Sequence, residues 1–137
     1  MSLFVDTSVW SLMLRRDPPA DTPQVRALIR VLETGAERVV TTGLVLQELL
    51  QGFAGAKAHD QLIARFASLP LLVPDREDHI AAAQLRNQCR KRGVQVGTID
   101  ALLAQLCLQH DLTMLSADED FLHIARLTSL RVWVAGS

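Results

Sequence analysis

The stretch "LFVDTSVW" (residues 3–10) sets an acid at the end of an apolar run and follows it at once with two hydroxyls. Three successive apolar residues, "LFV", read as a strand buried on both faces, since a half-exposed strand would alternate polar and apolar positions. Asp6 then marks the point where the strand leaves the sheet, and Thr7 and Ser8 suit the opening of a helix. Working outward, the run 2–5 and comparable short runs at 38–41, 69–73, 113–115 and 130–134 predict five strands.

The intervening segments carry helical spacing. Val25, Leu28, Ile29 and Leu32 repeat at i, i+3, i+4 and i+7, and Leu102, Leu103 and Leu106 follow Thr98, which reads as an N-cap. Residues 44–53, 58–67 and 77–92 are also predicted helices, the last ending in the cations Arg90, Lys91 and Arg92, which suit a helix C-terminus. Strands alternating with helices imply an α/β fold with a mainly parallel sheet covered on both faces, and functional groups beyond the carboxyl ends of its strands.

A chain of 137 residues with 49% hydrophobic content suits one domain, residues 1–137, with a sizeable core. "MSLFV" is too short before its acid for a signal peptide, and no apolar run reaches the roughly 18 residues of a membrane span, so the expectation is a cytoplasmic protein with no membrane contact. Cys89 and Cys107 lack zinc-ligand spacing and read as buried free thiols. Fourteen Lys and Arg against 15 Asp and Glu leave a formal charge of −1, so any polyanion must be held by a local patch or a bound cation.

Most acids sit among polar neighbours and read as solvated faces or helix ends. Four do not: Asp6, Glu48 in "GLVLQELLQGF", Asp100 in "VGTIDALLAQL", and Asp118 in "MLSADEDF". On a helical wheel Glu48 falls between Leu44 and Val45, so its face is expected to be partly buried, with no Lys or Arg within a turn. Each of the others has a bland reading. Asp6 and Asp118 could cap the helices that follow them, and Asp100 could simply favour a helix N-terminus. Taken together, a parallel sheet could deliver all four to one cleft, where they would repel unless neutralised. A hard divalent cation, Mg²⁺ or Mn²⁺, takes such oxygen ligands and leaves room for a phosphate oxygen. The chemistry of that site is phosphodiester hydrolysis by metal-activated water. Ser8 and Thr7 have no His partner at readable spacing; their hydroxyls, like that of Ser116, read as supports for a carboxylate or a water. His59, His79, His110 and His123 stand alone in helical sequence and read as surface or structural residues.

The ordered set "VDTSVW", "LQELLQGF", "GTIDALLA" and "LSADEDF" resembles a PIN-domain ribonuclease of the VapC toxin type over nearly the whole chain. The resemblance implies an α/β/α sandwich with a parallel sheet, and an acidic quartet of Asp6, Glu48, Asp100 and Asp118 that binds Mg²⁺ or Mn²⁺ and cuts RNA. Asp6 and Asp100 are the firmest metal ligands by that analogy. It also implies a homodimer and a cognate VapB-like antitoxin. Ser8 stands where many relatives carry Asn, and Ser116 where many carry Thr. Asp120 is an additional acid, read as facing solvent, with contact to the site through water as the other reading. Candidate RNA-binding cations include Arg15, Arg16, Arg26, Arg30, Lys57, Arg65, Arg86 and the Arg90–Lys91–Arg92 run. Trp10, Leu14, Phe53 and Trp133 read as core, although Leu14 and the helix at 44–53 could border an apolar groove for an antitoxin helix.

Three other readings compete. A PIN nuclease of RNA processing would share the quartet without a toxin role, and a PIN-like scaffold would only bind a partner. A phosphate-receiving regulatory domain wants an early acid pair and a late Lys, whereas Asp6 stands alone and no Lys follows Lys91.

Overall fold

The computed structural model describes residues 1–136. In chain order the elements are β1 (Ser2–Val5), α1 (Thr7–Leu14), α2 (Pro23–Thr34), β2 (Arg38–Thr42), α3 (Gly43–Gly52), α4 (Ala56–Ala67), β3 (Leu71–Leu72), α5 (Arg76–Lys91), α6 (Thr98–Gln109), β4 (Thr113–Leu115), α7 (Asp120–Leu127) and β5 (Arg131–Val132). The strands form one sheet in the order β3-β2-β1-β4-β5, every neighbouring pair parallel.

"LFV" is the centre of that sheet. Phe4 lies opposite Val40 on one side and Met114 on the other, and Leu3, Phe4 and Val5 are all buried, as an unalternating apolar run requires. The two edge strands are shorter than their apolar runs: 69–73 pairs only at Leu71 and Leu72, and 130–134 only at Arg131 and Val132. Each edge strand has a ladder on one side alone, and each pairs with only two residues of its neighbour.

Local sequence explains the helix ends. Thr22 caps α2 by accepting the Val25 amide at 3.2 Å, Pro23 opens the helix, and Gly35 closes it at φ 64. Asp75 and Asp78 form a reciprocal capping box on α5, which holds the Asp75 carboxyl below its usual range through the Asp78 amide. Thr98 is not the N-cap of α6: Gly97 is, because its carbonyl already accepts the Ala101 amide at 2.9 Å, making Thr98 the first helical residue.

The core is built on the apolar faces of α1, α3, α6 and α7 against the sheet. Trp10 is buried against the Phe66 ring, with centroids 4.9 Å apart, as its core reading requires. Leu14, Phe53 and Trp133 are half-buried. Cys89 and Cys107 are buried free thiols, and burial, reinforced by the Asp6 charge, pushes Cys107 up to about 12. No helix among the described residues is long and apolar enough to cross a membrane.

Topology fixes where chemistry can occur. From β3 at one edge the chain crosses to β4 on the far side of β1, so the strand order reverses at β1. The crevice beyond the carboxyl ends of β1 and β4 is therefore the switch point of the sheet, where ligands of open α/β folds bind.

Candidate active site

Asp6 is the residue immediately after β1, and its amide donates to the Leu115 carbonyl at the end of β4 at 2.9 Å. It occupies the N-cap position of α1 but makes no side-chain cap. Its Oδ2 instead accepts the hydroxyls of Ser8 and Ser116, each at 2.8 Å. With both hydroxyl protons committed there, the 3.4 Å approach of the two serine oxygens is a contact between lone pairs. Ser8 Oγ accepts the Ala117 amide at 3.0 Å and Ser116 Oγ accepts the Asp118 amide at 2.9 Å. The two serines thus lock the mouth of β1 to the loop after β4, and Asp6 Oδ1 accepts no hydrogen bond among the described residues.

Asp100 and Asp118 arrive at helix N-termini, which the sheet collects at the same edge, whereas Glu48 sits midway along α3. α3 and α7 follow the carboxyl ends of β2 and β4, and α6 runs back toward the amino end of β4, so its N-terminus lies at the carboxyl edge. Asp100 is the third residue of α6 and spends no hydrogen bond on its own helix; its Oδ2 lies 4.0 Å from where a Cβ on Gly97 would stand. Asp118 lies just outside α7, where its Oδ1 accepts the Asp120 amide at 2.9 Å. Part of the capping role read for Asp118 is therefore present, with its second oxygen unspent.

Glu48 departs from expectation in one respect. It is exposed, because only Val45 and Leu49 of α3 turn inward, and Glu48 lies on the flank of that stripe. A hydroxyl from across the cleft orients it all the same: Thr7 Oγ1 donates to Glu48 Oε1 at 2.9 Å.

Ligating oxygens of Asp100, Asp118 and Asp120 lie within 4.8 Å of one another. Asp120, read from sequence as solvent-facing, is exposed yet belongs to this group, because two residues of the α7 N-terminus bring it beside Asp118. Asp6 and Glu48 stand outside the triad but within reach of its field. Burial first, and then the charges of Asp6, Asp118, Asp120 and Glu48, push the Asp100 carboxyl from 3.8 up to about 6. The ion pairs among the described residues, Arg26 with Asp21 and Arg131 with Asp111, involve none of these five acids.

Such a donor set fits a hard divalent cation: it is all oxygen, anionic, unpaired by protein cations, and held by hydroxyls that donate to the outer face of a carboxylate. No histidine or thiol enters it, which argues against a zinc site and against a Ser-His-Asp arrangement. Beside Asp120, the cleft continues along Arg86, Arg90, Gln95, Val96 and Gly97 with a volume of about 590 Å³. Arg90 and Lys91 do occupy the last turn of α5, as the helix-end reading of the cationic run holds.

Comparison with known proteins identifies the family of the fold. The family model described as PIN domain matches residues 3–127. The chain is 32% identical over 131 residues, 94% of its length and 96% of the relative's, to Ribonuclease VapC11 of Mycobacterium tuberculosis and to VapC ribonuclease Mb1587 of Mycobacterium bovis. Its fold is similar to the crystal structure of VapBC-5 from Mycobacterium tuberculosis, a member of the VapBC family of toxin-antitoxin systems, with TM-score 0.65, 23% identity and 96% of each chain covered. The chain belongs to the PIN-domain family, among its VapC-type ribonucleases.

Proposed function

We propose that this protein is an endoribonuclease toxin of a type II toxin-antitoxin system that hydrolyses RNA phosphodiester bonds, using Mg²⁺ or Mn²⁺ held by Asp6, Glu48, Asp100 and Asp118, with Asp120 beside them. The observation that carries the reading is the convergence of these carboxylates at the switch point, none of them in an ion pair among the described residues. A divalent cation bound there supplies Lewis acidity toward a phosphate oxygen and a nucleophilic water. The chain's own residues do the rest. Asp100, Asp118 and Asp120 offer ligating oxygens, Ser8 and Ser116 fix the Asp6 carboxylate, and Thr7 fixes Glu48. No side chain is placed as a covalent nucleophile.

Two protein partners go with this function, a VapB-like antitoxin and a second copy of the chain. The antitoxin reading draws support from the VapBC-5 likeness and from a cleft of about 710 Å³ in which Leu14 and Phe53 meet Leu62 and Arg65 of α4. An apolar floor with a cation at its rim suits an amphipathic helix.

The test is cleavage of tRNA, rRNA or mRNA by the purified protein with Mn²⁺ or Mg²⁺. EDTA should stop it, and Asp6→Ala and Asp100→Asn should each lose more than about 100-fold in rate while melting cooperatively. Full activity in either folded variant overturns the assignment.

A further inference from the structure

Arg86 and Arg90 lie one turn apart on α5 and share a face. Arg86 Nε donates to the Val96 carbonyl at 2.8 Å, which ties the loop leading into α6 against α5. Both arginines line the same cleft as Asp120, itself one of the three acids whose oxygens lie within 4.8 Å of one another. Yet neither arginine forms an ion pair with Asp120, and the Arg90 guanidinium makes no hydrogen bond or ion pair among the described residues. Unpaired cations therefore begin where the unpaired acids end.

That charge pattern matches an anion lying next to a bound cation. The chain carries a net charge of −1, so its overall field cannot draw a polyanion, and the acids at the switch point repel one. A strand whose scissile phosphate sits at the acids needs its neighbouring phosphate neutralised close by. Two guanidinium groups, with Gln95 lining the same cleft, are the chemistry that recognises a phosphodiester. We propose that the Arg86, Arg90 and Gln95 cleft is a subsite for the RNA phosphodiester adjacent to the one being cut. The proposal rests on the nuclease reading. Arg90 binds the phosphate, and Arg86 both binds it and holds the loop that leads into α6, the helix of Asp100.

The experiment uses the full chain and a single-stranded RNA oligonucleotide, with binding followed by anisotropy in EDTA across a salt series. Arg90→Gln should weaken binding several-fold, and the slope of log affinity against log salt should fall by about 0.7, the value for one single-strand phosphate. Arg90→Lys should keep the slope, and Arg38→Gln, at the amino edge of β2, should leave it unchanged. In Mn²⁺, Arg90→Gln should raise KM several-fold with kcat within twofold, because the contact is made equally before and during reaction. An unchanged slope and KM, or a fall in kcat alone, overturns the subsite. The two readings fail separately. If the wild-type protein cleaves no RNA but Arg90→Gln lowers the slope, the RNA phosphate contact at Arg90 stands and the nuclease reading falls. If the wild type cleaves and the slope ignores Arg90, the reverse holds.

Discussion

Replacing Asp100 with Asn should stabilise the protein in the absence of metal, in a pH-dependent way. Burial and four neighbouring carboxylates raise its folded pKa from 3.8 to about 6. The folded state therefore binds this proton more tightly than the unfolded chain does. Stability is unaffected by the group below about pH 4, where both states are protonated, falls as pH rises to about 6, and stays lower above it. At about 1.36 kcal/mol per pKa unit the ceiling is about 3 kcal/mol, and access of water to the cleft trims that to on the order of 1–2 kcal/mol. Asparagine keeps the shape and removes the charge. In EDTA at pH 8, Asp100→Asn should melt about 3–8 °C above the wild type, with the difference closing by about pH 4. Mn²⁺ should raise the wild-type melting temperature and that of the variant much less, since the cation relieves the same repulsion. A variant no more stable at pH 8, or one whose advantage persists undiminished at pH 4, refutes the argument.

Other outcomes follow from the same geometry. Ser116→Ala removes a hydroxyl that both donates to Asp6 and accepts the Asp118 amide, so calorimetry should show Mn²⁺ binding about 10–100-fold weaker; unchanged affinity would separate the serine from the site. Leu14→Asp places a charge in the cleft between α1 and α4 and should abolish co-purification of the cognate antitoxin while RNA cleavage persists; normal capture of the antitoxin removes that cleft from consideration. Trp10→Ala should cost about 3–5 kcal/mol in urea denaturation with little change in slope, because the indole is fully buried against Phe66; a loss below about 1 kcal/mol would contradict its place in the core.

The central strand was legible because "LFV" has no polar alternation, and only a strand covered on both faces tolerates that. The helices at 44–53, 58–67 and 77–92 were legible for the complementary reason, and each lies within two residues of its observed bounds. Asp6, Glu48, Asp100 and Asp118 stood out as carboxylates embedded in apolar sequence, a local property that needs no knowledge of the fold. What composition and spacing could not supply was distance. The exposure of Glu48 depends on how α3 rolls on the sheet, and sequence spacing alone left that roll open between Leu44 and Val45. Asp120 looks like any acid of a polar helix start until β4 and α6 bring it beside Asp100. Arg86 and Arg90 look like an ordinary cationic helix end until the loop of Gln95 to Gly97 folds back on them. By itself the sequence determined the periodicities, and so the elements and their order, because burial acts on each side chain where it stands. Which charges meet was decided only by the tertiary structure, because a parallel sheet joins its neighbours through long crossovers, and residues a hundred positions apart come within a hydrogen bond only once β1 and β4 have paired.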